Sequence, residues 1–131
     1  MLMPKEVRTT GAPQAIGPYA QAVAVGEWIY CSGQVGLDPA TGELVPGGME
    51  AEVDRALDNL QAVLEAAGSG LQRLVRVTVY LTDLGEFATL NRIYGEKLGS
   101  ARPARATVGV AALPKGACVE IDAVAVRDWP A

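Results

Sequence analysis

The chain contains no histidine, and this absence restricts its chemistry more than any residue that is present. Ser-His-Asp and Cys-His nucleophiles, histidine general bases and imidazole metal ligands are all excluded. Two separated cysteines without histidine also do not supply the ligands of a structural zinc site. We therefore expect no metal, and a chemistry based on carboxylates, arginine, tyrosine, hydroxyls, backbone amides and water.

Other scarce features exclude further classes of protein. No basic run occurs and the net charge is −4, which argues against a nucleic-acid surface. Neither GxxxxGK[ST] nor GxGxxG occurs, so no nucleotide cofactor is expected. No segment approaches the roughly 20 apolar residues of a membrane helix, and the N-terminus lacks an apolar signal segment. We expect a cytoplasmic protein that binds neither membrane nor nucleic acid and carries no cofactor.

The cysteines are too few for a disulfide framework. Cys31 and Cys118 both lie in apolar stretches that are typical of strands. We therefore interpret both as small buried hydrophobic residues.

The patterns that are present predict one α+β domain over residues 1–131. Half of the residues are hydrophobic, and 131 residues suffice for a single core. Helical periodicity predicts helices over 49–67 and from residue 83 onward, the second with Phe87, Leu90, Tyr94 and Leu98 on its inner face. The expected order is β-β-β-α-β-α-β-β, with two helices on one face of a mixed or antiparallel sheet.

Alternation of apolar and polar residues predicts the strands. A hairpin with a turn at Gly26-Glu27 is expected over 23–30, and a half-buried strand over 74–82. Two last strands are predicted over 105–112 and 117–126, joined by a hairpin loop at 113–116. This short connection suggests that the two strands are neighbours. The last strand is apolar on both faces, so a partner sheet could cover the second face, although exposed alanines are an alternative.

Arg105 is the most informative single residue of the predicted sheet. Alternation places Arg105 and Thr107 on one face, and the opposite face, with Ala106 and Val108, is interpreted as core. A guanidinium beside an apolar layer needs a partner, and its planar fork fits a carboxylate with two hydrogen bonds. The pattern leaves two interpretations open, a site for a small carboxylate or an internal ion pair with Glu120 or Asp122.

Six sequence blocks resemble the RidA/YjgF (Rid) family, in the same order along the chain. The resemblance covers roughly residues 12–127. The blocks are AIGPYAQA at 15–22, CSGQ at 31–34, LDNL at 57–60, LEAAG at 64–68, FATLN at 87–91 and RPARATVGVAALPKGACVEIDAVAV at 102–126.

The resemblance implies a chorismate-mutase-like fold assembled as a homotrimer with clefts between subunits. The implied activity is that of a 2-iminobutanoate/2-iminopropanoate-type deaminase, which hydrolyses reactive 2-enamines and 2-imines such as 2-aminoacrylate to 2-keto acids and ammonia. The alternatives are a module that binds a small carboxylate or keto acid without catalysis, and an endoribonuclease or translation inhibitor.

The resemblance also implies roles for particular residues. Arg105 matches the arginine that binds the substrate carboxylate, Glu120 the acid that positions water, and Tyr19 a tyrosine that closes over the ligand. Further residues match substrate-binding positions of the family: Ser32, Gly33, Asn91 and, through its backbone carbonyl, Thr107. Many relatives carry cysteine where Thr107 stands, so thiol chemistry at this position is not expected here.

Overall fold

A computed structural model describes residues 3–127 of the chain. Its elements follow the predicted order β-β-β-α-β-α-β-β. Neither helix within this range is long and apolar enough to cross a membrane. The strands are β1 (Lys5–Val7), β2 (Ala22–Val25), β3 (Trp28–Val35), β4 (Leu74–Leu81), β5 (Ala104–Gly109) and β6 (Val119–Val126), and the helices are α1 (Gly48–Ala66) and α2 (Phe87–Leu98).

The six strands form one mixed sheet in the order β1-β2-β3-β6-β4-β5. All neighbouring pairs are antiparallel except β4 and β5, which are parallel. The predicted hairpin between β2 and β3 is confirmed, since Val25 pairs with Trp28 across the two-residue turn. Gly26 has φ 58°, a left-handed conformation that glycine adopts without steric cost.

The predicted hairpin between the last two strands is wrong. β6 lies between β3 and β4, and β5 pairs only with β4 at the edge of the sheet. The connection after β5 instead crosses the end of β4, where Val110 N donates to Leu81 O and Thr82 N donates to Cys118 O. The prediction relied on the short connection between β5 and β6. It failed because β6 pairs with β4 along most of its length and not with β5.

The two faces of the sheet have different environments. Residues such as Val77, Val79 and Ile121 are at most 1 % exposed and pack beneath the helices. The opposite side, which we call the open face, has no helix on it in the part of the chain described. It carries Trp28, Tyr30, Tyr80, Val108, Glu120 and Asp122.

Both helices bury one stripe against the sheet and against each other. α1 begins and ends within one residue of the predicted bounds. In α2 the buried residues are Leu90, Ile93 and Leu98. The predicted inward orientation of Phe87 is wrong, since its side chain is 44 % exposed.

Close approach of α1 to the end of β3 depends on Gly36. A Cβ at this position would lie 2.7 Å from the Cα of Glu52 and 2.8 Å from its carbonyl oxygen. The fully buried Asn59 also ties α1 to this segment, because its Nδ2 donates to the carbonyl oxygens of Val35 and Leu37. The absence of a side chain at position 36 therefore sets how closely helix and sheet pack.

We expect Gly36→Ala to lower the free energy of unfolding by about 2 kcal/mol, since helix backbone cannot yield to the added methyl group. Gly95→Ala is the matched control. Gly95 lies inside α2, and a methyl group added there would have no atom within 4 Å apart from its chain neighbours and the nearby backbone of its own helix, so this substitution should raise stability by about 0.5–1 kcal/mol. Urea denaturation measures both values, and equal effects of the two substitutions would contradict the packing argument.

Candidate active site

Arg105 is held by one face of α2. Its Nη2 donates to Asn91 Oδ1 at 2.7 Å, and its Cζ lies 4.8 Å from the ring centroid of Tyr94 and 5.6 Å from that of Phe87. Phe87, Asn91 and Tyr94 follow the i, i+4, i+7 spacing of a helix face. We call these four residues the guanidinium half-site. A cleft of about 330 Å³ lies beside it and is also lined by Arg102.

The register explains why Arg105 meets α2. Arg105 pairs with Val77, which is buried beneath the helices, so both side chains point to the helix side. The prediction that Ala106 and Val108 face the core is therefore wrong, and Val108 is 39 % exposed. Because β5 is an edge strand, the long Arg105 side chain reaches the rim of α2 and not the centre of the core.

The interpretation of Arg105 as an ion-pair partner of Glu120 or Asp122 is wrong within this chain. Glu120 pairs with Tyr80 and lies on the open face, opposite the helix side. Asp122 lies on the same open face, where its Oδ2 accepts from the Tyr80 hydroxyl at 2.8 Å. Arg105 instead donates to a neutral partner, Asn91. This bond uses one of the five N–H donors of the guanidinium and leaves the others for a carboxylate.

Glu120 belongs to a second group of predicted residues. A cleft of about 390 Å³ is lined by Tyr19, Ser32, Gly33 and Glu120, which we call the acid half-site. A Cβ at Gly33 would overlap the Glu120 carboxylate, so the absence of a side chain there makes room for this acid. Lys115, with φ 63°, also borders the cleft.

Tyr19 reaches the acid half-site on an irregular segment that is tied down on both sides. Gln21 Nε2 donates to the carbonyl oxygens of Thr9 and Pro13, at 3.0 and 2.8 Å. Ser32 Oγ donates to the Ala20 carbonyl oxygen at 2.6 Å. Tyr19 itself is 51 % exposed, so its ring stands at the mouth of the cleft.

The environment of Glu120 makes it a better proton acceptor than an ordinary glutamate. Burial raises the pKa of the Glu120 carboxyl, and the nearby negative charge of Asp122 raises this pKa further. A carboxylate with a raised pKa holds a proton more readily at a pH near neutrality.

The cysteines take no part in either half-site. Cys31 is buried as predicted, and burial, followed by the charge of Asp122, raises the pKa of its thiol to about 12. Cys118 is half-buried, and burial together with Glu52 raises the pKa of its thiol to about 12 as well. Neither thiol forms a nucleophilic thiolate near neutral pH.

The predicted site residues thus fall into two groups that one chain does not bring together. Asn91 lies with Arg105, and Thr107 shares the face of β5 with Arg105, whereas the acid half-site contains the other four. Sequence reasoning missed Phe87 and Tyr94 as neighbours of Arg105. The i, i+4, i+7 spacing of Phe87, Asn91 and Tyr94 indicates that the three share one face of the helix. Aromatic residues at helical spacing are more typical of a core, so this spacing alone does not identify a site.

The fold and the site define a class of protein: a small α+β domain in which a neutral asparagine holds an arginine and a partly buried glutamate with a raised pKa lies in a separate cleft. The family model described as Endoribonuclease L-PSP matches residues 9–127. The chain therefore belongs to this family, which is the RidA/YjgF (Rid) family, and the resemblance seen in the sequence is confirmed.

Similar proteins include named enzymes and solved structures. The 2-iminobutanoate/2-iminopropanoate deaminase of Mus musculus is 53 % identical over 123 residues, covering 94 % of this chain and 91 % of the mouse protein. RidA from a Psychrobacter species is 46 % identical with a TM-score of 0.90, covering 93 % of this chain and 98 % of the other. E. coli TdcF with bound serine is 39 % identical with a TM-score of 0.89, at 95 % and 99 % coverage.

We expect Asp122→Asn to lower the pKa of Glu120, because it removes a neighbouring negative charge and keeps an acceptor for the Tyr80 hydroxyl. A carbon-detected NMR titration of the Glu120 carboxyl measures this value. Glu50→Gln neutralises an acid on the helix side, where Glu50 pairs with Arg92, and should leave the titration unchanged. An unchanged pKa of the Glu120 carboxyl in the Asp122→Asn variant would show that Asp122 does not influence this pKa.

Proposed function

We propose that this protein hydrolyses 2-imino acids, and the enamines in equilibrium with them, to 2-keto acids and ammonia. The observation that carries the proposal is the guanidinium half-site, in which Arg105 is oriented by the neutral Asn91 and two aromatic rings. Such an arginine binds a carboxylate with little loss of side-chain freedom. Relatives about half identical to this chain carry the name of that activity.

The reaction needs positioning more than a strong nucleophile. Water adds to the electrophilic C=N carbon and gives a carbinolamine, whose C–N bond then breaks to release ammonia and leave the keto group. In our proposal the imine reacts in its protonated form, and Glu120 accepts the proton of the attacking water and returns it to the departing nitrogen. Glu120 then takes the hydroxyl proton of the carbinolamine as the keto group forms, and this proton leaves with ammonia as ammonium. The raised pKa of Glu120 suits each of these transfers.

The remaining predicted residues support binding and orientation. Arg105 holds the carboxylate, and Asn91 holds the guanidinium. Tyr19 closes over the ligand, and Ser32 and Gly33, which line the same cleft, contact the substrate. The Thr107 carbonyl accepts an N–H of the substrate nitrogen, a role that the family resemblance implies.

The site requires two copies of the chain. Arg105 faces the helix side and Glu120 the open face, so a small substrate touching both must lie between one copy's guanidinium half-site and another's acid half-site. The open face also carries Trp28 at 39 % and Tyr30 at 50 % exposure, which a second sheet could cover. We propose a chorismate-mutase-like homotrimer with three such clefts, acting in the cytoplasm.

Arg105→Ala should reduce kcat/KM for 2-iminobutanoate at least ~100-fold, because two charge-assisted hydrogen bonds to the carboxylate are lost. The imine is generated in the cuvette by an amino-acid oxidase, and ammonia release is measured. Arg92→Ala, which removes only surface pairs with Glu50 and Glu96, should behave like the unaltered protein. An active Arg105→Ala protein of unchanged oligomeric state would refute the proposed mechanism.

Co-expression of Arg105→Ala and Glu120→Ala chains should restore activity that neither variant has alone. With random assembly, about a quarter of the clefts receive an intact Arg105 from one chain and an intact Glu120 from its neighbour. A chain carrying both substitutions, co-expressed with either single variant, supplies the control and should restore nothing. Mixed assemblies as inactive as the single variants would contradict the shared cleft.

A binding module is the alternative that the same assay separates. Such a module would bind 2-oxobutanoate through Arg105 but would not accelerate ammonia release. Glu120 favours the enzyme, because a carboxylate sensor gains nothing from a second negative charge near its ligand.

A further inference from the structure

Two buried hydroxyl groups stand out in the part of the chain described. The hydroxyl oxygens of Tyr94 and Thr107 are buried and form no hydrogen bond. Within residues 3–127, no other buried side-chain nitrogen or oxygen atom lacks a hydrogen-bond partner. A buried polar atom without a partner lowers stability, and in native proteins it calls for an explanation. Phenylalanine and valine would fill nearly the same volumes without this cost.

Both hydroxyls lie near the same functional group. Arg105 Cζ is 4.8 Å from the Tyr94 ring centroid, and Thr107 follows Arg105 by two residues on the same face of β5. Asn59, Gln21 and Glu52, which are buried elsewhere in the described range, form hydrogen bonds through their side chains. The missing partners are thus concentrated around the arginine, not scattered through the core.

The anchoring of Arg105 by its own chain is incomplete among the residues described. A single hydrogen bond to Asn91 allows the guanidinium to turn about that bond. The Tyr94 ring contacts one face of the Arg105 guanidinium, but this stacking does not prevent the guanidinium from rotating within its own plane. A carboxylate held by two parallel hydrogen bonds requires this rotation to be fixed.

We propose that Tyr94 is a positioning residue for imine hydrolysis: in the substrate-bound state its hydroxyl accepts an N–H of Arg105 and fixes the plane of the guanidinium. Burial raises the pKa of the Tyr94 hydroxyl and the nearby charge of Arg105 lowers it, so the phenolic oxygen and the guanidinium are already close, although their geometry is not that of a hydrogen bond. Asn91 and Tyr94, about one helical turn apart, then hold Arg105 from two directions. This inference rests on the proposed role of Arg105 as the carboxylate clamp.

The test is Tyr94→Phe, which removes only the hydroxyl. We expect KM for 2-iminobutanoate and Kd for 2-oxobutanoate to rise together by about tenfold, the effect of losing one hydrogen bond to a charged group. kcat should change less than about twofold, since Arg105 binds the carboxylate equally in the ground and transition states. The melting temperature of the ligand-free protein should stay the same or rise, because the removed hydroxyl is buried and forms no hydrogen bond within residues 3–127.

Thr89→Val is the matched control, since it removes a hydroxyl from the same helix, α2, at a position outside both half-sites. KM and Kd of this variant should be unchanged. Unchanged KM and Kd in Tyr94→Phe, a fall in kcat alone, a clearly lower melting temperature, or an equal effect of Thr89→Val would each overturn the inference. If Tyr94→Phe has no effect while the unaltered protein hydrolyses 2-iminobutanoate and Arg105→Ala does not, the positioning role fails and the proposed function stands. If the unaltered protein does not accelerate ammonia release, the proposed function itself fails.

Discussion

The antiparallel pairing of β6 between β3 and β4 is the constraint on which the arrangement of the site depends. It sets Glu120 beside Tyr80 on the open face and moves β5 to the edge of the sheet. At the edge, a long side chain on the helix side reaches the rim of α2, where Arg105 meets its partners. A β5–β6 hairpin would have joined Arg105 and Glu120 in one chain, and the two half-sites would not exist.

The separation of the two half-sites has an electrostatic consequence. Within one chain Arg105 does not neutralise Glu120, so burial and Asp122 raise the pKa of the acid without opposition from the guanidinium. Arg105 in turn keeps N–H donors for a ligand because Asn91, a neutral residue, holds it. Within a single chain, the arginine proposed to bind a carboxylate and the acid proposed to accept a proton therefore do not form an ion pair.

The element order, the bounds of α1, the hairpin at Gly26 and the family were predictable from local patterns and ordered motifs. The neighbours of β5 were not, because a short connection is compatible with both a hairpin and a crossing to the far side of β4. The role of α2 was only half predictable. Its spacing identified a helix, but the exposed Phe87 and the half-buried Tyr94 have the residue types of a core.

The sequence by itself determined the chemistry available to this protein, because residue types decide which groups can titrate, bind a carboxylate or hold a metal. The absence of histidine and the presence of Arg105 and Glu120 belong to that level. Only the tertiary structure decided which groups meet. Strand order and register are set by pairing between distant segments, and a side chain's face follows from that pairing. For this reason Arg105 lies against Asn91 and Tyr94, while Glu120 lies over Gly33 on the other side of the sheet.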